Sequence, residues 1–137
     1  MSATAMPSKP GRLQMGLALV GIGFGVATLF SGGSVLAGRD PGYVVFRPLL
    51  VYNTLMGLAY VAAGAVAWRS AGRGARAAGA IFVANLVVLG IIAWLYATGS
   101  AVAVDSLRAM TLRTGVWLAL FAGLRWVGRT APPVRRA

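Results

Sequence analysis

The sequence contains no histidine, no cysteine and no glutamate, and its only carboxylate side chains are Asp40 and Asp105. Without histidine and cysteine, the chain lacks the usual ligands of zinc and haem, cannot form disulfides and has no imidazole for proton transfer. A paired-carboxylate site would need both aspartates. We therefore predict that the protein is not an enzyme, with no catalytic residue, no metal site and no cofactor.

Charge of either sign is also scarce. Charged residues make up 11% of the 137-residue chain, against about a quarter in typical soluble domains. Apolar residues make up 58%, the mean hydropathy is +0.78 and there are 19 glycines, which membrane helices use to pack closely. A net charge of +11 could indicate nucleic acid. The basic residues flank long apolar runs, however, so we expect the lipid bilayer and not nucleic acid as the partner.

Four segments are long and apolar enough to cross a bilayer, namely residues 13–37, 48–68, 77–98 and 104–124. Since a backbone inside lipid must satisfy its own hydrogen bonds, these segments are predicted to be helices. The predicted fold is all-α, a single domain of residues 1–137 forming an integral membrane bundle of four transmembrane helices. Residues 1–12 and 129–137 are expected to be loose basic tails, and residues 69–76 a flexible loop resting on anionic lipid headgroups.

The first segment has an alternative interpretation. Lys9 and Arg12, followed by an apolar run and Val35-Leu36-Ala37, also resemble a signal peptide with its cleavage site. The apolar region of a signal peptide usually spans about 7–15 residues. This run has 25 uncharged residues, so we favour a retained helix.

The distribution of basic residues predicts the orientation. One set of tails and loops carries nine of them, against three on the other side, where both aspartates also lie. The nine are Lys9, Arg12, Arg69, Arg73, Arg76, Arg125, Arg129, Arg135 and Arg136, and the three are Arg39, Arg47 and Arg108. The positive-inside rule then places both termini in the cytoplasm of a multi-pass protein of the cell inner membrane.

Small residues recur at helical spacing in three of the four segments and are predicted to be packing positions. These positions are Gly21, Gly25, Gly57, Gly64, Gly115, Ala119 and Gly123. Asn53 and Tyr60 share the face that carries Gly57 and Gly64, and Asn85 lies near the middle of the third segment. We predict a ligand-binding site or polar interior in which Arg113 points toward Tyr60, Asn53 or Asn85.

Arg113 is the only charge deep in a predicted span, about nine residues or about 13 Å from the start of the fourth segment. A charge at that depth costs about 2.5–3.5 kcal/mol on insertion scales. Three interpretations remain open: a structural lock between helices, a side chain that reaches outward to the membrane surface, and a contact for an anionic or polar ligand. Asp40 or Asp105 could reach Arg113 from the outer side.

Residues 55–90, LMGLAYVAAGAVAWRSAGRGARAAGAIFVANLVVLG, join a glycine- and alanine-rich helix to an alanine-rich helix through a short basic turn. This layout resembles the DoxX-like group of small bacterial membrane proteins. The resemblance implies a four-helix bundle, in some cases linked with membrane oxidoreductase systems, and it carries over no catalytic residue.

Three functions are compatible with these features. The first is a non-catalytic accessory or scaffolding subunit of a larger membrane complex, partnered by other membrane subunits or by copies of itself. The alternative is a small transporter or binding bundle for an anion or a polar, lipid-like molecule that uses Arg113. A third is a quinone pocket lined by Tyr60, Asn85 and Trp117.

Overall fold

The computed structural model describes residues 9–130, which form four α-helices. They are α1 (Arg12–Leu36), α2 (Arg47–Arg69), α3 (Ala71–Ala97) and α4 (Val104–Thr130). The chain is thus all-α, as predicted. Most of the predicted N- and C-terminal tails, residues 1–8 and 131–137, lie outside the described residues.

Two helix ends differ from the predicted segments. The predicted flexible loop at 69–76 is wrong, because α2 and α3 are separated by Ser70 alone. The Ser70 hydroxyl accepts a hydrogen bond from the Arg73 amide at 3.3 Å and so caps the start of α3. Likewise, α4 continues to Thr130 and does not end near residue 124. The predicted segments ended where charged residues begin. A helix, however, can continue through charged residues for as long as its backbone hydrogen bonds are made.

The helices run antiparallel in chain order. The Gln14 amide near the start of α1 donates to the Ala67 carbonyl near the end of α2 at 2.8 Å. Likewise, the start of α3 lies beside the end of α4, since a β-carbon built on Gly128 would lie 3.8 Å from the Gly72 nitrogen. We call the end of the bundle that holds Arg12, Ser70 and Thr130 the basal end. The opposite end, with the loops 37–46 and 98–103, is the apical end.

The apical end of α3 is closed by a glycine in the left-handed region. Gly99 has φ +87°, its amide donates to the Tyr96 carbonyl at 3.2 Å, and the Ser100 amide donates to the Leu95 carbonyl at 3.0 Å. This pair of bonds is the Schellman arrangement, which satisfies carbonyls that the helix end would otherwise leave unpaired. It reverses the chain within a few residues and lets α4 return along α3.

Helices α1 and α2 approach each other through glycine. A β-carbon added at Gly25 would lie 2.7 Å from the Val61 nitrogen, and one at Gly64 would lie 2.7 Å from the Ile22 nitrogen. Gly21 and Gly57 are also buried at this contact. Four of the predicted packing positions therefore lie where two backbones meet, which is the arrangement that small residues permit in membrane helices.

The small residues of α4 lie elsewhere. Gly115 and Ala119 are exposed, and no described residue comes within 4 Å of a β-carbon built on Gly115, apart from its chain neighbours and its own helix backbone. A β-carbon on Gly123 would instead meet the Leu17 side chain at 3.0 Å. Of the three predicted packing positions on α4, only Gly123 therefore contacts another helix of the bundle. Large side chains on the opposite face of α4, such as Trp117 and Leu120, fill the core.

Apolar side chains cover much of the outside of the bundle, including Phe30 (75% exposed), Trp94 (65%) and Leu112 (63%). By length and composition, α1, α2 and α3 could each cross a membrane. The helix α4 is as long as α3, at 27 residues each, but carries five charged side chains. These are Asp105, Arg108, Arg113, Arg125 and Arg129.

Candidate functional site

A fully buried asparagine joins α2 and α3 at mid-depth. The Asn85 Oδ1 accepts hydrogen bonds from the Tyr52 hydroxyl at 3.0 Å and the Tyr60 hydroxyl at 3.2 Å, and its Nδ2 lies 3.0 Å from the Tyr60 oxygen. Both Asn85 and Tyr60 have 0% exposure. A buried polar group is stabilised only when its hydrogen bonds are made, and here these three side chains satisfy one another.

Tyr52 was not among the residues predicted from sequence. Its position eight residues before Tyr60, close to two helical turns, places both phenols on one face of α2, and that spacing was the available signal. The spacing alone could not indicate that Asn85 of α3 faces the two phenols.

Aromatic rings pack around Tyr60. The Tyr60 and Trp117 ring centroids are 4.8 Å apart, and those of Tyr60 and Phe24 are 5.8 Å apart. Trp117 is 1% exposed. The residues proposed to line a quinone pocket are Tyr60, Asn85 and Trp117. All three are buried, and Tyr60 contacts both the Trp117 ring and the Asn85 amide.

Arg113 and Asn53 line a different space, a cavity of about 160 Å³ in the apical half of the bundle. Helices α1, α2 and α4 and the loop before α2 all contribute to it. We call it the Arg113 cavity, and its lining is Thr28, Ser31, Gly32, Val35, Tyr43, Val45, Phe46, Leu49, Leu50, Asn53, Ser106, Ala109 and Arg113. The structure thus divides the four predicted interior residues into two pairs: Arg113 with Asn53, and Tyr60 with Asn85.

Two polar atoms of this cavity are buried without a partner. Among residues 9–130, neither the Arg113 Nε nor the Asn53 Oδ1 has a hydrogen-bond partner. An unmade hydrogen bond of this kind costs about 1–3 kcal/mol, and more for a charged group. The two atoms differ in kind, since the Arg113 Nε is a donor and the Asn53 Oδ1 is an acceptor.

Neither aspartate neutralises Arg113. In the described part of the chain, the ion pair that forms joins Asp105 to Arg108 at 3.9 Å on the exposed side of α4. The Asp40 Oδ1 accepts from the Gly42 amide at 2.8 Å within its own loop. The suggestion that Asp40 or Asp105 reaches Arg113 therefore does not hold. Arg113 gives the apical half of the bundle an interior positive charge without a carboxylate counter-ion.

A second depression adjoins the Arg113 cavity between α1 and α4. It has a volume of about 230 Å³ and shares Thr28, Ser31, Ala109 and Arg113 with the cavity. The remaining lining residues, Phe24, Ala27 and Leu112, are apolar. Arg113 thus stands between a polar interior space and an apolar depression on the flank of the bundle.

No protein-family model, no curated protein and no solved structure matches this chain. The DoxX-like resemblance therefore stays a prediction. In the described residues, no group of three histidine, cysteine, aspartate or glutamate side chains could hold a metal ion.

Proposed function

We propose that this protein is an integral membrane bundle of four helices that binds the negatively charged headgroup of an amphiphile in the Arg113 cavity, without catalysing a reaction. The observation that carries this proposal is that Arg113 and Asn53 line one cavity, and that each of them has a buried polar atom, Nε and Oδ1, without a hydrogen-bond partner among residues 9–130.

The membrane location is supported by the apolar exterior and by the three helices that are long and apolar enough to span. The membrane location of α4 is supported by its packing against α3. It runs antiparallel to α3 and contacts it near the basal end, where a β-carbon on Gly79 would lie 3.0 Å from the Phe121 ring. If α3 crosses the bilayer, a partner of the same length packed beside it crosses as well, with Arg113 turned toward protein.

The charge distribution supports an orientation with both termini in the cytoplasm, in a bacterial-type inner membrane. The antiparallel order puts the start of α1 and the end of α4 at the basal end, together with the arginines around Ser70. Basic residues are retained on the cytoplasmic side during insertion, so the basal end is the cytoplasmic end.

An anion is the ligand class that fits Arg113. The guanidinium is permanently charged and presents several donors, which suit the oxygens of a carboxylate or a phosphate. The buried hydroxyls of Thr28 and Ser106 also line the cavity and can donate to the same oxygens. A volume of about 160 Å³ has room for one small headgroup.

The apolar depression between α1 and α4 favours an amphiphile over a free ion. An acyl chain leaving the Arg113 cavity past Ala109 would lie along Phe24 and Leu112 and continue into lipid. A headgroup held by protein with its chain in the bilayer keeps both parts in the environment each prefers.

The test measures the thermal unfolding of the protein in neutral detergent with decyl phosphate or with decanol, its uncharged counterpart. A ligand at 100 times its dissociation constant stabilises the folded state by about 2.7 kcal/mol. We expect decyl phosphate to stabilise the protein and decanol not to do so. Arg113→Gln should reduce that difference, because it deletes the charge in the Arg113 cavity and keeps a polar side chain of similar length.

Arg108→Gln is the matched control, since Arg108 lies on the same helix with its side chain exposed to solvent. This variant should keep the full response to decyl phosphate. If Arg113→Gln folds and responds as the unchanged protein does, Arg113 is not the contact and the proposed function is refuted.

An accessory subunit is the second candidate, favoured by the exposed Gly115 and Ala119 on α4. Small residues at spacing four give a flat surface for a helix of another membrane subunit or of a second copy. Extraction in mild detergent should then recover a stoichiometric complex that Gly115→Leu disrupts. Recovery of the protein only as a lone chain would argue against this candidate.

A further inference from the structure

Three arginines meet at the basal end around a groove between the start of α3 and the end of α4. The groove has a volume of about 240 Å³ and is bordered by Arg76 of α3 and by Arg125 and Arg129 of α4. We call it the basal groove, and its remaining lining is Gly72, Ala75, Phe121, Leu124 and Gly128. It lies at the opposite end of the bundle from the loops that border the Arg113 cavity and shares no residue with it.

No side-chain carboxylate is available to neutralise this cluster. The sequence contains only Asp40 and Asp105, one in the loop after α1 and the other in the first turn of α4, both at the apical end. Three exposed arginines line one groove, and like charges that share a site repel one another. Their positions therefore favour a negatively charged ligand.

The start of α3 adds to the positive potential of the groove. The first turn of α3 carries no acidic residue, and the backbone N–H groups of a first turn have no acceptor within the helix. The Ser70 hydroxyl accepts from the Arg73 amide, and Gly72 is one residue before it. An anion in the basal groove would be stabilised both by the arginines and by the positive end of the helix dipole.

Glycines bring the two helix backbones together under the arginines. A β-carbon built on Gly128 would lie 3.8 Å from the Gly72 nitrogen and 3.9 Å from its α-carbon. At Gly72 and Gly128 the basal groove is therefore lined by backbone, and no side chain from these two positions fills it.

The membrane-facing side of the groove is apolar. The Arg125 guanidinium lies 5.8 Å from the centre of the Phe121 ring, and Leu124 lines the groove beside it. One to three turns further along the same helix faces lie the exposed side chains of Leu118 on α4 and of Val83 and Val87 on α3. Cations at the rim and apolar side chains below it match the order of groups in a phospholipid.

We propose that the basal groove binds the phosphate headgroup of an anionic phospholipid, with the acyl chains lying along Leu118, Val83 and Val87. This inference depends on the membrane insertion in the proposed function but not on the Arg113 cavity. Basic clusters where membrane helices meet the cytoplasmic leaflet are suited to anionic headgroups. The apolar wall below the arginines is the reason to choose a phospholipid over free phosphate.

The experiment is a lipid titration followed by native mass spectrometry in neutral detergent. The lipids are dioleoylphosphatidylglycerol, which is anionic, and dioleoylphosphatidylcholine, which has no net charge; soluble glycerol phosphate represents the headgroup alone. We expect the anionic lipid to bind at least about tenfold more tightly than either of the others. Equal binding of the two lipids, or tight binding of glycerol phosphate alone, would overturn the proposal.

Two double variants separate a specific groove from diffuse attraction. The variant Arg76→Gln/Arg125→Gln removes two charges from the basal groove. The control Arg69→Gln/Arg73→Gln removes two charges from the same end, at residues that do not line it. We expect the groove variant to lose at least about tenfold in affinity for the anionic lipid and the control less than about threefold. Equal losses would mean that net charge alone attracts the lipid, which refutes a groove site.

A steric variant tests the same site without changing charge. A β-carbon at Gly128 makes only ordinary contacts, so Gly128→Leu should fold and fill the groove. It should weaken binding of the anionic lipid as much as the double groove variant does. In an Arg113→Gln background, which excludes a contribution from the Arg113 cavity, the groove variants should lose the same affinity. Sodium carbonate extraction of membranes tests insertion separately, so failure of either part of the proposed function is recognised independently.

Discussion

Gly25 and Gly23 stand two residues apart on α1 and have opposite surroundings. A β-carbon at Gly25 would lie 2.7 Å from the Val61 nitrogen and 2.8 Å from the Gly57 oxygen, both backbone atoms of α2. A β-carbon at Gly23 would have no other described atom within 4 Å, outside the backbone of its own helix turn and its chain neighbours. The pair therefore separates the cost of a helix contact from the intrinsic preference of a helix for alanine.

The magnitude follows from the geometry. Ordinary contact begins near 3.4 Å, so alanine at Gly25 requires α1 and α2 to separate locally by 3.4 minus 2.7, or 0.7 Å. A gap of about 0.5–1 Å removes a quarter to a half of the dispersion attraction between the contacting atoms. Overpacking costs about 1–3 kcal/mol, whereas replacing glycine by alanine within a helix contributes up to about 1 kcal/mol. We therefore expect Gly25→Ala to lower the free energy of unfolding by about 1–2 kcal/mol.

Gly23→Ala places its methyl group in open space, so only the higher helix propensity of alanine applies. This variant should therefore raise the free energy of unfolding by about 0.5–1 kcal/mol. The assay is reversible unfolding in mixed micelles of a neutral detergent and sodium dodecyl sulfate, followed by helical circular dichroism. The two variants should shift the midpoint in opposite directions. If Gly25→Ala stabilises the protein as much as Gly23→Ala does, the close contact between α1 and α2 is absent and the reasoning fails.

Three further predictions use the same protein preparations. Asn85→Leu should lower the free energy of unfolding by about 1–3 kcal/mol, because it leaves a buried tyrosine hydroxyl without its partner; a neutral effect in the micelle assay would contradict the hydrogen-bonded link between α2 and α3. Arg113→Leu should raise the free energy of unfolding of the ligand-free protein by about 1–3 kcal/mol, since it removes a charged group with a buried, unpartnered nitrogen. It should also reduce the response to decyl phosphate. A loss of stability in Arg113→Leu would instead identify this residue as a structural lock. In intact cells, a membrane-impermeant maleimide should label Ser100→Cys and not Gly11→Cys, which the cysteine-free chain makes simple to read; labelling of Gly11→Cys alone would reverse the orientation.

The local features of this protein could be predicted from the order of its residues. The long uncharged runs predicted four helices on the premise that a backbone in lipid satisfies its own hydrogen bonds, and four helices are found at those runs. Glycines at helical spacing on the first two helices predicted packing positions, and Gly25 and Gly64 do lie against the backbone of the neighbouring helix. These features depend on residues close together in one segment, and periodicity detects such residues.

Helix ends were less accessible to sequence. Hydropathy reports which residues prefer lipid, but the helix α3 begins at Ala71 because Ser70 caps it, in a stretch that contains Arg73 and Arg76. The same limitation shortened the predicted fourth helix, which continues through Arg125 to Thr130.

Which polar residues lie together depends on how the four helices pack. Arg113 and Asn53 line one cavity, whereas Tyr60 and Asn85 bond to each other elsewhere, because α1 and the apical loop border the space beside α4. The small residues at Gly115 and Ala119 face outward, because the opposite face of α4 carries the large side chains that fill the core. The physical reason is that each helix offers several faces of similar composition. The choice among them depends on how all four helices fill space together, and no single segment contains that information.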